Sequence, residues 1–282
     1  MNSLRDAAAA WLAKGEAAVV VEVTEALGSA PREAGTRMLV SAVRCAGTIG
    51  GGHLELKAME RARRMLAGEM VAPTAHYPLG PALGQCCGGA VTLAFTRLDA
   101  KVLGAWPKAA PRFHLQLYGA GHVGRAIVQA LAPLNVVVDW IDEREAEFPA
   151  DAVLPAHIRK VCVDTIEAEV RHAPRGAYYL VLTHRHDLDR RIAEAILQRG
   201  DFAFFGLIGS KTKRHRFIHR FEQRGIPAET IARMTCPIGM PGIEGKEPEV
   251  IAAAVVAQLL QVSSAQHAAQ PSTSYSRRIH EA

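Results

Sequence analysis

Two adjacent cysteines lie between glycines in the stretch LGQCCGG, from Leu83 to Gly89. The chain has 282 residues and five cysteines, an odd number and too few for a disulfide scaffold, which favours a reducing compartment. Because consecutive side chains diverge, Cys86 and Cys87 are poorly placed to chelate one zinc ion, and no second close pair completes a structural zinc site. One of them could instead present a thiolate to a soft metal, helped by nearby N–H groups or basic side chains. The isolated Cys162, in a predicted strand, is expected to pack as a small buried hydrophobe.

Two other segments of the first hundred residues contain groups that bind anions. GTIGGGHLE, residues 47–55, places a glycine-rich turn before a predicted helix, where backbone N–H groups attract anions; its candidate residues are Gly50, Gly51, Gly52 and His53. GSAPREAGTR, residues 28–37, adds Arg32 and Arg37, whose guanidinium groups can form paired hydrogen bonds to phosphate or carboxylate oxygens. The alternative for residues 28–37 is a surface turn between strands. The lysine of a Walker motif is absent, so the pattern does not indicate ATP hydrolysis.

The segment GAGHVG, Gly119 to Gly124, matches the glycine fingerprint of dinucleotide-binding folds. It follows a predicted strand and opens an amphipathic helix, so Gly119 suits a tight turn, Gly121 a close phosphate, and Gly124 the packing of helix on strand. Asp142 ends the next predicted strand 18 residues after Gly124, where a ribose-binding acid belongs. The pattern predicts a Rossmann-like domain, whereas nucleotide binding stays open because the glycines also serve a structural turn.

Two polar segments follow later strands of the same predicted sheet. THRHDLD, residues 183–189, resembles the start of an HxHxDH zinc motif, but Leu188 and Asp189 occupy the places of required ligands. We therefore expect a ligand-facing loop, or a turn in which Asp187 caps the next helix. Ser210 and Lys211 begin a basic helix that could meet a phosphate or an acidic partner, the alternative being a solvated basic face.

The hydrophobic pattern positions these motifs in two domains. With 49% hydrophobic residues the chain can bury sizeable cores, and residues 1–96 read as a mixed α/β domain. Residues 97–112 are predicted to be a linker, residues 113–262 a parallel sheet of five strands with crossover helices, and residues 263–282 a disordered tail. The longest apolar stretches are shorter than a membrane span, and no leader opens the sequence, so we expect a cytoplasmic protein.

Seven motifs together resemble those of the XdhC/CoxI family. They are GSAPREAGTRMLV, GTIGGGHLE, LGQCCGG, YGAGHVGRA, THRHDLD, GLIGSKTKR and CPIGMPG, in this order and spacing. The resemblance covers the chain from about Leu4 to Val262 and implies an N-terminal XdhC/CoxI domain followed by a Rossmann-like domain. It also implies a chaperone, and not an enzyme, that binds the molybdenum cofactor, supports its sulfuration and delivers it to xanthine dehydrogenase.

By this resemblance the partners are a cysteine desulfurase and the molybdenum-binding subunit of xanthine dehydrogenase, and we expect a homodimer. The aromatic fraction of 6% and the short apolar stretches predict that the chain binds neither nucleic acid nor membrane. One of the two adjacent cysteines would be the molybdenum ligand. The residues expected to hold the cofactor, molybdopterin with its metal, are Cys86, Cys87, Gln85, Gly50, Gly51, Gly52, His53, Arg32, Arg37, Gly119, Gly121, His122, Gly124, Asp142, Ser210 and Lys211.

Two other functions remain open from the residues alone. The first is an NAD(P)-dependent oxidoreductase that uses GAGHVG and Asp142, with His184 or His186 as acid and base. Under that alternative NAD(P) or another nucleotide occupies the Rossmann-like site, although no catalytic dyad is recognisable. The second is a metallohydrolase centred on residues 183–187, which lacks the ligands named above.

Overall fold

A computed structural model describes residues 4–79, 89–106, 109–149 and 154–269. The chain divides into two compact units between Ala109 and Ala110, and each has its own sheet and core. Gln85, Cys86 and Cys87 lie outside the described residues.

The N-terminal unit is built on a five-stranded antiparallel sheet with the strand order β3–β2–β1–β5–β4. Its elements in chain order are α1 (Leu4–Ala13), β1 (Ala18–Leu27), β2 (Arg37–Ser41), β3 (Cys45–Gly47), α2 (Gly52–Leu66), β4 (Thr74–Pro78), β5 (Ala90–Arg97) and α3 (Ala100–Ala105). The central strand β1 is apolar at consecutive positions because both faces of the sheet are covered. Val19 and Val21 pack with Leu54 of α2, and Val20 packs with Trp11 of α1 on the other face.

The predicted linker contains a helix that belongs to this unit. Residues 97–112 show little periodicity, but α3 forms within them, and the Asp99 side chain accepts a hydrogen bond from the Val102 N–H at 2.7 Å. Leu103 and Trp106 pack against the core around Trp11. A six-residue helix spans less than two turns, which is too short to produce a visible hydrophobic repeat.

The C-terminal unit is built on a six-stranded, fully parallel sheet with the strand order β11–β10–β9–β6–β7–β8. Its elements are β6 (His114–Tyr118), α4 (His122–Leu131), β7 (Val137–Asp142), β8 (Ile158–Cys162), β9 (Tyr178–Val181), α5 (His186–Arg199), β10 (Phe204–Leu207), α6 (Lys211–Gln223), α7 (Ala228–Ala232), β11 (Met234–Thr235) and α8 (Pro248–Ala269), with 3-10 helices at Glu145–Glu147 and Ile166–His172. The sequence predicts five of these strands. The sixth, β11, has two residues and no alternation to detect.

Helices cover both faces of this sheet, as the alternating strand and helix pattern predicts. One face packs against α4 and α8 through Ile127 and Val255, and the other packs against α5 and α6 through Ile192 and Phe221. The chain runs outward from β6 to β8 and then returns to β9 on the opposite side of β6. This is the strand order of Rossmann folds, in which ligands bind beyond the carboxyl ends of the strands where the order reverses.

Helix α8 extends beyond its predicted end near Val262 to Ala269, so residues 263–269 do not belong to a disordered tail. Polar residues in the segment 263–269 are buried or form hydrogen bonds with residues distant in sequence. Ser263 is fully buried, the Arg112 guanidinium donates to the Ser264 hydroxyl at 3.0 Å, and the Tyr178 hydroxyl donates to Gln266 Oε1 at 2.6 Å. Such contacts bridge distant parts of the chain and leave no local pattern in the sequence.

Within the described residues, α8 also contains one segment, Pro248–Gln266, that is long and apolar enough to cross a membrane by length and composition alone. The sequence had indicated no such stretch. Val255 and Leu259 of this segment are fully buried in the core that α8 shares with α4. Packing inside the C-terminal unit therefore accounts for part of the apolar character of the segment, of which 33% is buried.

Candidate functional site

The glycine turn after β6 forms the centre of the predicted site, and two of its glycines are required by the chain itself. Gly119 has a φ of +122°, and a Cβ there would lie 2.5 Å from the Leu182 carbonyl oxygen. A Cβ at Gly124 would lie 2.1 Å from the Gly119 carbonyl oxygen. A side chain at either position would clash with backbone, so these two glycines permit the turn and the packing of α4 on it.

Gly121 differs because no described part of the chain requires a glycine there. Its φ is −67°, which any residue adopts, and no described atom lies within 4 Å of the place of a Cβ. Gly121 caps α4 without a side-chain hydrogen bond, and the first N–H groups of a helix have no partner within it. The exposed His122 follows directly. Backbone N–H groups are thus open to an anion that could approach closely over Gly121.

Asp142 lies at the predicted position, at the end of β7, but its carboxylate already accepts hydrogen bonds from neighbouring residues of the protein. It is 2% exposed, and Oδ2 accepts a hydrogen bond from the Ala120 N–H at 2.7 Å. The Arg144 guanidinium donates to both carboxylate oxygens at 3.0 Å, and the Arg144 N–H donates to Oδ1 at 2.9 Å. Burial alone would raise the pKa of Asp142, but the hydrogen bonds from Arg144 and Ala120 lower it below its ordinary value. A ribose hydroxyl would have to displace Arg144 to reach this acid.

The loop after β9 is organised around a buried ion pair that the sequence did not reveal. The Thr183 N–H and hydroxyl donate to Asp189 Oδ1 at 2.9 and 2.7 Å, and Lys213 Nζ donates to Asp189 Oδ2 at 2.6 Å. Asp189 and Lys213 are both buried. Lys213 Nζ also donates to the Ile208 carbonyl at 2.8 Å, so the pair ties the loop after β9 to the loop after β10. In sequence these two residues appear as parts of a polar loop and a basic helix face.

The loop after β9 contains no metal site within the part of the chain that the structure describes, where no group of three His, Cys, Asp or Glu residues could hold an ion. The predicted helix cap at Asp187 is also wrong, because α5 begins at His186 and Arg185 is its capping residue. His184 Nε2 lies 3.8 Å from Glu143 Oε1, and Arg185 Nη2 lies 3.7 Å from the same atom. Glu143 follows β7, and the glycine turn follows β6, the strand between β9 and β7. Both distances exceed that of a hydrogen bond.

Ser210 and Lys211 lie at the start of α6, two strands away from the glycine turn. The Ser210 hydroxyl accepts a hydrogen bond from the Lys213 N–H at 3.2 Å, which satisfies one N–H of the first helical turn. Lys211 is exposed. The structure therefore gives Ser210 a capping role and leaves the Lys211 ammonium group accessible.

Two single cysteines of this unit have contrasting surroundings. Cys162, expected to be buried, is exposed, because it ends the edge strand β8. Partial burial and the nearby charges of Glu145 and Asp142 raise the pKa of its thiol. Cys236 follows β11 and is buried, and burial raises the pKa of its thiol against the opposing effect of Lys213. At neither position do the surroundings lower the pKa of the thiol.

In the N-terminal unit, the loop 28–36 meets the glycine turn before α2, and Gly89 packs at the start of the same loop. A Cβ at Gly50 would lie 2.6 Å from Pro31, the residue before Arg32, so the loop 28–36 packs on the glycine turn before α2. A Cβ at Gly89 would lie 2.4 Å from the Leu27 carbonyl oxygen and 2.6 Å from that of Ser29. The Leu79 N–H donates to the Gly89 carbonyl at 2.7 Å, so the two ends of the segment that contains the adjacent cysteines are paired.

The glycine turn before α2 is less open to anions than its sequence suggests. Glu55 Oε1 accepts hydrogen bonds from the N–H groups of Ile49 at 2.9 Å and Gly51 at 2.8 Å, and from the Thr48 hydroxyl. The Gly50 N–H donates to Thr48 Oγ1 at 3.1 Å. Burial would raise the pKa of Glu55, but these hydrogen bonds lower it. An anion would have to use groups further along the helix start, where Gly52 and His53 are exposed.

The two arginines of this unit that the sequence predicts as site residues lie in different environments. Arg32 is exposed and forms no ion pair with a described residue, so its guanidinium is available near Gly50. Arg37 donates to both carboxylate oxygens of Glu22 at 2.8 and 2.9 Å and lies 5.0 Å above the Trp106 ring. Arg37 begins β2 directly after the loop 28–36, but its guanidinium is held by Glu22 and Trp106. It is therefore less available to an anion than the guanidinium of Arg32.

Comparison with known proteins gives a family and a fold. Residues 115–259 match the model of the XdhC Rossmann domain, and residues 11–78 match that of the XdhC and CoxI family. The uncharacterized protein YqeB of Escherichia coli K12 is 29% identical over 254 residues, which are 87% of this chain and 43% of YqeB, so the chain spans less than half of that relative. A Bacillus halodurans structure described as a xanthine dehydrogenase superposes with a TM-score of 0.75 at 18% identity, over 97% of this chain and 98% of that one. The match to that structure shows the fold alone.

Proposed function

Because the chain belongs to the XdhC and CoxI family, we propose that it is an accessory chaperone for the maturation of a xanthine dehydrogenase. Its cargo would be the molybdenum cofactor, which it binds, holds during sulfuration and releases to the molybdenum-binding subunit of the client enzyme. A cysteine desulfurase would be the second partner, the protein would act in the cytoplasm as a homodimer, and it would not turn over a substrate itself.

The observation that carries this proposal is the free space over Gly121. A glycine with an ordinary negative φ and no described neighbour at its Cβ position is not required by the fold. Close approach of a phosphate to the uncapped N–H groups of α4 explains it, and the molybdenum cofactor carries a phosphate. His122 is exposed beside this turn, and we assign it to the same phosphate site.

The N-terminal unit, taken by itself, also has candidate residues for the cargo. The loops of Arg32, Gly50 and Gly89 lie together, and Cys87 precedes Gly89 by two residues in sequence. We assign one thiolate of Cys86 and Cys87 to the metal, and Gln85, Arg32, Gly52 and His53 to the surrounding anionic groups. A protein that carries its cargo must release it, so a single thiolate suits this role better than a closed ligand set.

The oxidoreductase alternative receives less support from the same site. A nicotinamide dinucleotide usually hydrogen-bonds its ribose to the acid at the position of Asp142, and here Arg144 and Ala120 already use both oxygens of that acid. His184 lies 3.8 Å from Glu143, so no hydrogen-bonded pair of general base and orienting carboxylate is assembled. The arrangement favours anion binding over hydride transfer.

The test is to purify the full chain anaerobically from a host that makes the molybdenum cofactor. Molybdenum, pterin and nicotinamide are then measured in the same sample. We expect molybdenum and pterin in comparable amounts and little nicotinamide. In Cys86→Ala, Cys87→Ala and the double variant, at least one of the three should retain less than about a tenth of the molybdenum, because a metal–ligand bond is lost.

The matched control is Cys45→Ala, which removes an exposed thiol from β3 of the same unit and should leave retention unchanged. Stoichiometric nicotinamide without pterin in the wild-type protein would refute the chaperone proposal. Full molybdenum retention in the double variant would remove the thiolates from the site while leaving the phosphate contact in place.

A further inference from the structure

A basic groove lies between α5 and α6, on the surface of the C-terminal unit. It has a volume of about 370 Å³, and its charged lining comes from Arg190, Arg216, Arg220, His186, His219 and Asp187. Its lining also includes Phe217, which is 7% exposed. The groove contains none of the glycines of the β6–α4 turn, and α4 packs on the opposite face of the sheet from α5 and α6.

Two of the three arginines of this groove have no ion-pair partner in the described part of the protein. Arg216 and Arg220 form no ion pair with any described residue, and Arg190 lies 3.4 Å from Glu194 of its own helix. Asp187, the one acid of the lining, is 3.7 Å from the Arg185 guanidinium. Arg216 and Arg220 are four residues apart on the same face of α6, a spacing at which like charges repel each other.

The shape and chemistry of the groove define its ligand. Arginines approach from both helices, and a guanidinium offers paired hydrogen bonds that match phosphate oxygens. Phe217 lines the groove but is only 7% exposed, so charge is the main basis of recognition, and the volume lies within the range of small-molecule sites. We propose that the groove binds the phosphoryl group of a small organic phosphate, as an anion site separate from the glycine turn.

Isothermal titration calorimetry of the full chain with inorganic pyrophosphate, at fixed ionic strength, tests the proposal. The arginine variants are compared in the Gly121→Ser background, in which the glycine turn is blocked. The double variant Arg216→Gln/Arg220→Gln should bind the probe at least about tenfold more weakly, because two charge-assisted contacts are lost. Arg220→Lys keeps the charge but loses the planar fork, and it should weaken binding severalfold. Unchanged affinity in the double variant would overturn the proposal.

Two further variants make the result specific. The matched control Arg171→Gln/Arg175→Gln removes two exposed charges of the same unit outside the groove and should leave the affinity unchanged. An equal loss in this control would mean nonspecific attraction and would overturn the proposal. Gly121→Ser, which blocks the glycine turn, should preserve binding in the groove, and loss of the probe in that variant would assign the anion to the turn instead. Tighter binding of an Asp/Glu-rich peptide than of pyrophosphate would also refute a small phosphate ligand.

Discussion

At the scale of single residues, each of the three glycines of GAGHVG stands at its position for its own physical reason. Gly119 and Gly124 are required by backbone atoms that lie within 2.5 Å of a Cβ, whereas Gly121 faces space that no described atom fills. A glycine motif therefore combines positions that the fold needs with a position that a ligand needs. The sequence shows all three alike, because it records only the absence of a side chain.

Matched serine substitutions distinguish these causes. Gly124→Ser should lower the free energy of unfolding by about 1–3 kcal/mol, because its Cβ would overlap the Gly119 carbonyl oxygen. Gly121→Ser should change it by less than about 0.5 kcal/mol, since serine is a good helix cap and its Cβ has room. Urea unfolding followed by circular dichroism measures both values.

Cargo binding should also respond to the Gly121→Ser substitution. A serine at position 121 fills the space over the turn and hydrogen-bonds the first N–H groups of α4, so retention of pterin should fall at least about tenfold. Full pterin retention in Gly121→Ser, together with an unchanged unfolding free energy, would show that the phosphate lies elsewhere.

At the scale of elements, the Asp189–Lys213 pair connects the loop after β9 to helix α6. Asp189 is 1% exposed, and its two oxygens bind Thr183 and Lys213 from different elements. The loop THRHDLD thus turns its last acid into the protein. This explains why Thr183 and Asp189 are polar, since buried charges persist only when they are paired and hydrogen-bonded.

Removing only one charged member of this pair should lower the free energy of unfolding. Lys213→Met should lower the free energy of unfolding by about 3–5 kcal/mol, because a buried carboxylate would lose its counter-ion. The double variant Lys213→Met/Asp189→Asn should be more stable than Lys213→Met, since no buried charge remains. Chemical denaturation of the wild type and the variants provides the comparison.

The control for this cycle is Arg191→Met, which removes a half-exposed partner of Glu167 at 3.3 Å in the same unit. An exposed pair of this kind contributes less than about 1 kcal/mol. Equal losses in Arg191→Met and Lys213→Met would show that the buried pair has no special role.

At the scale of the whole molecule, the chain consists of two units with separate cores. The antiparallel sheet packs against α1, α2 and α3, and the parallel sheet packs against α4, α5, α6 and α8. The three tryptophans are divided between the units, with Trp11 and Trp106 in the first and Trp140 in the second. Trp140 is fully buried, and its indole N–H donates to the Gly119 carbonyl at 3.0 Å.

Residues 110–282 expressed alone should therefore fold. The tryptophan emission of this fragment comes from Trp140, so it should be blue-shifted in the native state and shift to the red in one cooperative urea transition. Emission typical of exposed tryptophan without urea would show that this unit depends on the first 109 residues.

Much of the fold follows from the sequence, because it is encoded in local patterns. Alternating strands and amphipathic helices after Phe113 predict the parallel sheet, and GAGHVG predicts the turn between β6 and α4. The spacing of the seven motifs indicates the family to which the chain belongs. The short helix α3, the two-residue strand β11 and the last turns of α8 are missed because their periodicity is too short or their contacts are too distant in sequence.

The partners of each polar side chain were decided only by the tertiary structure. Sequence spacing identifies Asp142 and Arg37 as candidate ligands, but folding pairs them with Arg144 and Glu22. Likewise Cys162 becomes exposed because β8 lies at an edge of the sheet, and Arg216 and Arg220 form a groove because α5 packs beside α6. A sequence shows which groups the chain has, whereas the meeting of loops and helices determines which groups remain open to a ligand.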